Sequence, residues 1–275
     1  MDRQTEITTP GALLNEKGDL ARPGFSRALV QEYRRADVKV SPLRIKEWDY
    51  YLVNNGKFAL ALTVADNGYM GLDSVSLLDL EEGWEITKSP MSFLPLGKKH
   101  LPETSVTGDV HSAARGYGIH FIHEGEKRVL IAYMNKFGES ALSARVELTE
   151  CPEDSLVIAT PFDKPGHFYY NQKIVGFRAS GYVNYNGKTY TFEPSDSFAV
   201  LDWGRGVWTY ENTWYWSSAA YVLPSGTPFG WNLGYGFGDT SAASENMLFH
   251  AGTAHKLGGI KFEIPGEAEG KERYT

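Results

Sequence analysis

Residues 181–192 read Gly181-Tyr-Val-Asn-Tyr-Asn-Gly-Lys-Thr-Tyr-Thr-Phe192. Two runs in which aromatic or aliphatic residues alternate with polar ones flank the pair Asn186-Gly187. Alternation with a period of two is typical of a β-strand, because successive side chains point to opposite faces of a sheet. Asparagine and glycine tolerate the two positive φ angles of a type I′ turn. The stretch therefore predicts two antiparallel strands joined by a two-residue turn.

The same signals recur along the chain. Residues 57–64 and 129–134 are apolar-rich and predict further strands. Only two short windows, residues 31–39 and 240–247, have a helical pattern. Short strands separated by turns favour an all-β sandwich or barrel over alternating β/α units. Three more pairs predict tight turns: Asn55-Gly56, Asn67-Gly68 and Ala251-Gly252.

The composition excludes several classes of protein. The 275 residues are 42% hydrophobic and 22% charged, which is ordinary for a globular protein. The net charge of -7 provides no positive field to attract nucleic acid. A single cysteine, Cys151, excludes an intramolecular disulfide, and residues 1–6 lack the apolar core of a signal peptide, so we expect a cytoplasmic location. No apolar run approaches the roughly 18 to 20 residues that cross a bilayer, so no membrane span is predicted.

Tryptophan is concentrated in one region. Five of the seven tryptophans lie between Trp203 and Trp231. Trp214 and Trp216 are two residues apart, so they share a face if this segment is a strand, and such a face can line a cavity for a flat, apolar ligand. We therefore expect a pocket for a small hydrophobic molecule. Its candidate ligand-binding residues are Trp203, Trp208, Tyr210, Trp214, Trp216, Asn232, Tyr170 and His167.

Three charged residues in or next to this region are candidate catalytic residues. Asp202 and Arg205 have aromatic neighbours and predict either a partly buried ion pair or a clamp on a substrate carboxylate. Glu211, if the surrounding rings desolvate it, is a candidate general acid. The alternative is that Asp202 and Arg205 hold a loop in place and that Glu211 is solvated. No histidine, cysteine or acidic cluster has metal-ligand spacing, and no nucleotide-binding loop is present, so neither a metal nor a cofactor is predicted.

Several runs resemble the bacterial domain-of-unknown-function family numbered 2804. The most specific is the Asp-Trp-Gly-Arg-Gly run beginning at Asp202. That family is similar to a lipocalin-like group that includes carotenoid hydratases, tocopherol cyclases and fungal pericyclase-like enzymes. The resemblance extends over nearly the whole chain and is also carried by residues 44–51, 158–162, 168–174 and 232–239.

This resemblance implies an all-β fold of two consecutive lipocalin-like antiparallel β-barrel or β-sandwich halves with few short helices. We expect an N-terminal half with an N-terminal extension in residues 1–150 and a second half in residues 151–275. The second half is expected to be shortened, because family members continue with further strands beyond the region matching residues 260–265. A shortened half leaves a strand edge that either a second copy of the chain or a loop would have to cover, so a homo-oligomer is one of two alternatives.

Three functions fit these observations. The first is an enzyme that performs cofactor-independent acid–base chemistry on a hydrophobic molecule, as a hydratase (a hydro-lyase), cyclase or isomerase. The second is a carrier of a lipid or pigment, in which Asp202 and Arg205 only hold the pocket shut. The third is a carbohydrate-active enzyme or binder, which would place the carboxyl groups of Asp202 and Glu211 roughly 5 to 10 Å apart across an open cleft.

Overall fold

The computed structural model describes residues 4–261 and 263, and within them the chain is built almost entirely from β-strands. No helix in this part of the chain has the length and apolar character to cross a membrane. Two single turns of 3₁₀ helix span Arg35–Asp37 and Pro42–Arg44. The strands before residue 100 are β1 (Gly11–Ala12), β2 (Gly24–Ser26), β3 (Gln31–Glu32), β4 (Lys46–Asn54), β5 (Phe58–Asp66), β6 (Met70–Asp79), β7 (Trp84–Lys88) and β8 (Met91–Phe93).

The later strands complete the two sheets that determine the architecture. They are β9 (Val110–Ala114), β10 (Tyr117–Glu124), β11 (Lys127–Phe137), β12 (Ser140–Thr149), β13 (Leu156–Pro161), β14 (Phe168–Tyr185), β15 (Lys188–Phe192), β16 (Phe198–Val207), β17 (Tyr215–Val222), β18 (Pro228–Tyr235), β19 (Met247–His250) and β20 (Thr253–Lys256).

The larger sheet has fourteen strands, ten of them in the order β7-β6-β5-β4-β16-β14-β12-β11-β10-β9. Strands β14 and β16 therefore lie between two groups of strands from the first half of the chain. Side chains from strands far apart in this order meet at Asp73 of β6, which accepts hydrogen bonds from Ser112 of β9 and Tyr117 of β10. The sheet thus curls into a barrel-like layer around the main hydrophobic core.

The smaller sheet has four strands in the order β17-β18-β19-β20 and covers the outer face of the large sheet. A second hydrophobic core fills the space between the sheets, where Val200 of β16 and Ile158 of β13 lie with Met247 and Phe249 of β19. Each central strand of the large sheet therefore contributes one set of alternating side chains to the barrel interior and the other set to the space under the small sheet.

Strand β4 shows this alternation clearly. Glu47, Asp49 and Tyr51 are buried in the barrel interior, whereas Trp48 and Tyr50 are partly exposed on the outer face. This outer face, together with the small sheet, forms the candidate site described below.

The fold class expected from the sequence is confirmed: the chain is all-β and lipocalin-like, its two larger sheets are antiparallel, and it has two short helical turns. The short strands β1 and β3 pair in parallel in a separate two-stranded sheet. The hairpin is confirmed too, because Tyr185 pairs with Lys188 around Asn186 (φ 50°) and Gly187 (φ 74°). The division of the chain at residues 150 and 151 stays a prediction. The expectation of a shortened second half falls on the end of the chain, where residues 264–275 lie outside the described residues.

The two helical expectations are largely wrong. Residues 31–39 contain strand β3 and only one 3₁₀ turn, and residues 240–247 form an irregular segment that leads into β19. Backbone groups in that segment bond to distant parts of the chain: Ala242 O accepts from Thr5 N, and Ser244 N donates to Gln4 Oε1. These tertiary hydrogen bonds replace the local ones that a helix would need.

Candidate active site between the two sheets

The floor of the candidate site is a row of side chains from four neighbouring strands. Lys173 of β14 pairs with Asp202 of β16. Tyr50 of β4 pairs with Asp202 on its other side, and Thr63 of β5 pairs with Tyr50. Directly paired residues of antiparallel strands point to the same face of a sheet. The four side chains therefore share the outer face of the large sheet, under the small sheet.

A glycine of β16 makes room for an aromatic pair beside this row. A Cβ atom on Gly204 would lie only 2.1 Å from Cζ2 of Trp48, so any larger residue would displace the indole. Trp48 lies over this gap and stacks on Tyr169, with ring centroids 5.9 Å apart and an interplanar angle of 21°. Gly204, the first glycine of the Asp-Trp-Gly-Arg-Gly run, thus allows the Trp48 ring to approach the backbone of β16 closely.

The walls come from the small sheet and its connections. Trp216 of β17 faces the floor, with its ring centroid 6.1 Å from that of Tyr50. Together with the floor, the walls enclose a cleft of about 320 Å³. This volume is in the range of small-molecule sites. The remaining wall residues are Trp208, Trp214 and Phe237.

An ion pair lies within this aromatic lining. Lys173 Nζ is 2.6 Å from Asp202 Oδ2, and the two side chains are only 3% and 14% exposed. The other oxygen, Asp202 Oδ1, accepts hydrogen bonds from Asn171 Nδ2 at 2.6 Å and from Trp48 Nε1 at 3.2 Å. The carboxylate is therefore fixed in orientation by three donors.

A second carboxyl group lies behind the ion pair. Glu245 Oε2 is 3.9 Å from Lys173 Nζ. Burial raises the pKa of Glu245, the Lys173 charge opposes this rise, and the Asp202 charge adds to it. One ammonium group thus lies between two carboxyl groups, one of which is biased toward its protonated form.

Asn232 links the cleft wall to this cluster. Its Oδ1 accepts a hydrogen bond from Trp216 Nε1 at 2.7 Å, and its Nδ2 donates to the backbone oxygen of Glu245 at 2.8 Å. Tyr50 contributes a further donor, because burial and the nearby Asp202 charge raise its pKa to about 12 and keep the phenol protonated. The cleft therefore combines apolar area with a small number of oriented polar groups.

A family model described as a domain of unknown function, DUF2804, matches residues 4–272. The chain belongs to the DUF2804 family. No curated protein is similar enough to this DUF2804 chain to be matched.

Several solved structures are similar to this DUF2804 chain. A candidate AttH protein from Nitrosomonas europaea is 14% identical, with a TM-score of 0.50 over 82% of this chain and 71% of its own. Kievitone hydratase from Nectria haematococca is 10% identical, with a TM-score of 0.40 over 76% and 63% of the two chains. CghA with Sch210972 is 11% identical, with a TM-score of 0.41 over 88% and 68%. The similarity to the Nitrosomonas europaea protein, at 14% identity, concerns the fold alone. The DUF2804 chain spans 63% to 71% of the length of these three proteins.

The DUF2804 cleft brings together some of the residues expected from the sequence. Asp202, Trp208, Trp214 and Trp216 line it, and Asn232 lies directly behind Trp216. The structure thus has an aromatic cleft, which lies between two sheets rather than inside the barrel. That this cleft binds a flat molecule stays a prediction.

Three other candidates lie on the opposite face of the large sheet. Arg205 and Trp203 are fully buried in the barrel interior, and so is Tyr170, whose hydroxyl donates to Gln31 O. The expected pair between Asp202 and Arg205 does not form: Arg205 Nη2 donates to Asp49 Oδ1 at 2.9 Å instead. Residues three apart on a strand point to opposite faces, so each of the two finds a different partner.

The last three candidates lie outside the cleft. Glu211 is exposed, so the desolvation that would make it a general acid is absent. Tyr210 is 88% exposed and stacks under Arg44 in a neighbouring pocket. His167 is buried beside the β13–β14 turn, where its Nδ1 bonds with Pro165 O.

The sequence reasoning missed Lys173 and Glu245. A signal existed for Lys173, because Asn171, Gln172 and Lys173 are three consecutive polar residues between the apolar residues 168–170 and 174–177, and buried polar groups need partners. Glu245 carries no such signal, because residues 240–247 predict a short helix, on which a glutamate is expected to face water. Among the described residues, no three histidine, cysteine or acidic side chains gather closely enough to hold a metal ion.

Proposed function

We propose that this protein binds a small hydrophobic or aromatic molecule in the cleft between the sheets and catalyses cofactor-independent proton transfer on it. The reaction class is hydration, cyclisation or isomerisation. The observation that supports this proposal most directly is the Lys173–Asp202 ion pair, which lies at 2.6 Å in a cleft otherwise lined mainly by aromatic rings. Buried ionic groups beside an apolar pocket cost free energy and are concentrated at functional sites.

The geometry suggests a role for each group. The Lys173 ammonium group donates a proton to the bound molecule. It lies between the two carboxyl groups of Asp202 and Glu245, which can accept or return a proton. Asp202 is the acceptor, and Asn171 and Trp48 fix the direction of its lone pairs. Arg205, expected as a clamp on a substrate carboxylate, faces the barrel interior. Lys173 is instead the cation that stabilises negative charge on the bound molecule.

Binding is tested with N-phenylnaphthylamine, a neutral fluorescent aromatic probe. We expect it to bind the wild-type protein and to bind Trp216→Leu about tenfold more weakly, since stacking area and a cleft wall are lost. Trp231→Leu is the matched control, because Trp231 lies away from the cleft and contacts Ser217, Tyr221 and Phe229. Equal weakening by both substitutions would count against the cleft as the binding site.

Catalysis is tested by incubating an organic extract of the host cells with wild-type protein and with Asp202→Asn, followed by mass spectrometry. The wild type should convert a compound that Asp202→Asn binds but converts at least about 100-fold more slowly, which is the usual size of a general acid–base contribution. Asp163→Asn, at an exposed carboxyl group, is the control. Retention of probe binding by Asp202→Asn verifies that it is folded, and Asp202→Glu replaces it if it is not.

The same experiments can also identify a carrier that binds a molecule without converting it. A molecule that is retained unchanged by wild type, Asp202→Asn and Asp202→Glu would identify the protein as a binding module without catalysis. The carbohydrate function has less support, because Glu211 is exposed and does not line the cleft with Asp202.

A further inference from the structure

A second pocket adjoins the aromatic cleft and shares Trp208 with it. It has a volume of about 310 Å³. Lys46, on the outer face of β4, is two residues before Trp48, so the two side chains follow each other along the same face of the strand. The second pocket is therefore the continuation of the cleft along β4. Its other lining residues are Leu43, Arg44, Tyr69, Thr209 and Tyr210.

Two cations face this pocket, held by aromatic rings and a carbonyl. Arg44 lies 3.8 Å above the ring of Tyr210, and its Nη2 donates to Trp208 O at 2.6 Å. Lys46 Nζ lies 5.1 Å from the ring centroid of Tyr69 and 5.3 Å from that of Trp208. No carboxylate within the described residues forms a salt bridge with either cation.

This arrangement is unfavourable without an anion. Burial lowers the pKa of Lys46, and the charge of Arg44 lowers it further. Two like charges that share an aromatic pocket repel each other, and an anionic group between them would remove that repulsion while forming charge-assisted hydrogen bonds.

We propose that Arg44 and Lys46 bind an anionic oxygen group, a carboxylate or a phosphate, on the molecule whose apolar body occupies the aromatic cleft. This inference rests on the proposed function for the location of the apolar body. It extends that function by defining the ligand class as amphipathic: a flat, apolar part ends in an anion at the side of Trp208 away from Asp202. The anion anchors the ligand, and the ion pair of the cleft acts on the apolar part.

The test uses three ligands with the same aromatic body: naphthol, naphthoate and naphthyl phosphate. Isothermal titration should show that at least one anion binds the wild-type protein about tenfold more tightly than naphthol, with a preference that decreases as salt is added. In Lys46→Met this preference should fall to about twofold, while naphthol binding stays unchanged. Lys57→Met is the matched control, because Lys57 is exposed at the far end of the β4–β5 hairpin and carries the same charge.

The outcomes separate this inference from the proposed function. Equal affinity of the wild type for all three ligands, or an anion preference that survives in Lys46→Met, would overturn the anion pocket. If naphthol binds but Trp216→Leu does not weaken its binding, the aromatic cleft is not the site of the apolar body. A preference for the anionic ligands that depends on Lys46 would still support the anion pocket. Unchanged naphthol binding in Lys46→Met shows that the variant is folded, and Arg44→Met provides a second variant if it is not. A tighter naphthyl phosphate than naphthoate complex identifies the anion as a phosphate, and the reverse order identifies a carboxylate.

Discussion

The face to which each side chain of β16 points is set by the two-residue period of the strand and not by the chemistry of the residue. Asp202 and Arg205 are close in sequence, yet Asp202 points to the cleft and pairs with Lys173, whereas Arg205 points to the barrel interior and pairs with Asp49. Both ion pairs join residues on different strands. The residue that matters most for Asp202 is therefore 29 positions away in the sequence, at Lys173.

Lys256 is a partly buried lysine whose pKa differs from its ordinary value. Its Nζ donates hydrogen bonds of 2.8 Å to Ser244 Oγ and Asn246 O. Burial lowers its pKa from 10.5 to about 8, and the Glu245 charge opposes part of this change. Between these two values the unfolded chain binds more protons than the folded one, so this lysine makes the protein more stable as the pH rises.

The corresponding prediction concerns the free energy of unfolding in urea. Between about pH 8 and about pH 10, wild type should gain stability relative to Lys256→Met, because the substitution removes the lysine whose pKa burial lowers in the folded state. Lys57→Met, which removes an exposed lysine, should follow the wild-type pH profile. Parallel profiles of wild type and Lys256→Met would show that the amine titrates normally.

At the scale of elements, the packing of β4 on β16 depends on Gly204. An alanine there would push against the Trp48 indole and separate it from Tyr169. We expect Gly204→Ala to destabilise the protein by about 1 to 3 kcal/mol through overpacking. It should also weaken binding of N-phenylnaphthylamine, because Trp48 lines the cleft.

Thermal and urea unfolding together with probe titration measure both effects. Gly259→Ala is the control, since a Cβ atom at that position has no other atom within 4 Å. Unchanged stability and probe affinity in Gly204→Ala would mean that Trp48 moves aside freely and does not shape the floor.

Local elements could be predicted from the sequence where the signal is local. The hairpin at Asn186-Gly187 has its turn chemistry in the turn itself, and the aromatic cleft has most of its tryptophans within one segment. The irregular residues 240–247 could not be predicted, because their backbone is held by Gln4 and Thr5. The catalytic candidates could be predicted only in part, because the pairing of Lys173 with Asp202 depends on the register of β14 against β16.

At the scale of the whole molecule, the strand order means that each half of the chain needs strands of the other half to complete the large sheet. Strand β4 has β16 as a neighbour, and β12 has β14. A fragment of residues 1–150 therefore contains β4 and β12 but lacks the strands that cover one edge of each. Unpaired edges of long strands favour association over independent folding.

We therefore predict that fragments 1–150 and 151–275 each lack a cooperative urea transition and that mixing them restores one. Circular dichroism during urea titration, with the intact chain as reference, measures this. A cooperative transition of fragment 1–150 alone would show that its strands form a stable sheet without β14 and β16.

The interleaved sheet also has a consequence for synthesis of the protein in the cell. Strand β4 ends at Asn54, but its partner β16 begins only at Phe198. At roughly 5 to 20 residues per second, translation reaches β16 roughly 7 to 30 s after β4. During that interval the nascent chain carries an open, apolar strand edge near the ribosome. The yield of folded protein on overproduction should therefore depend on chaperone capacity, because incomplete chains with unpaired strand edges aggregate.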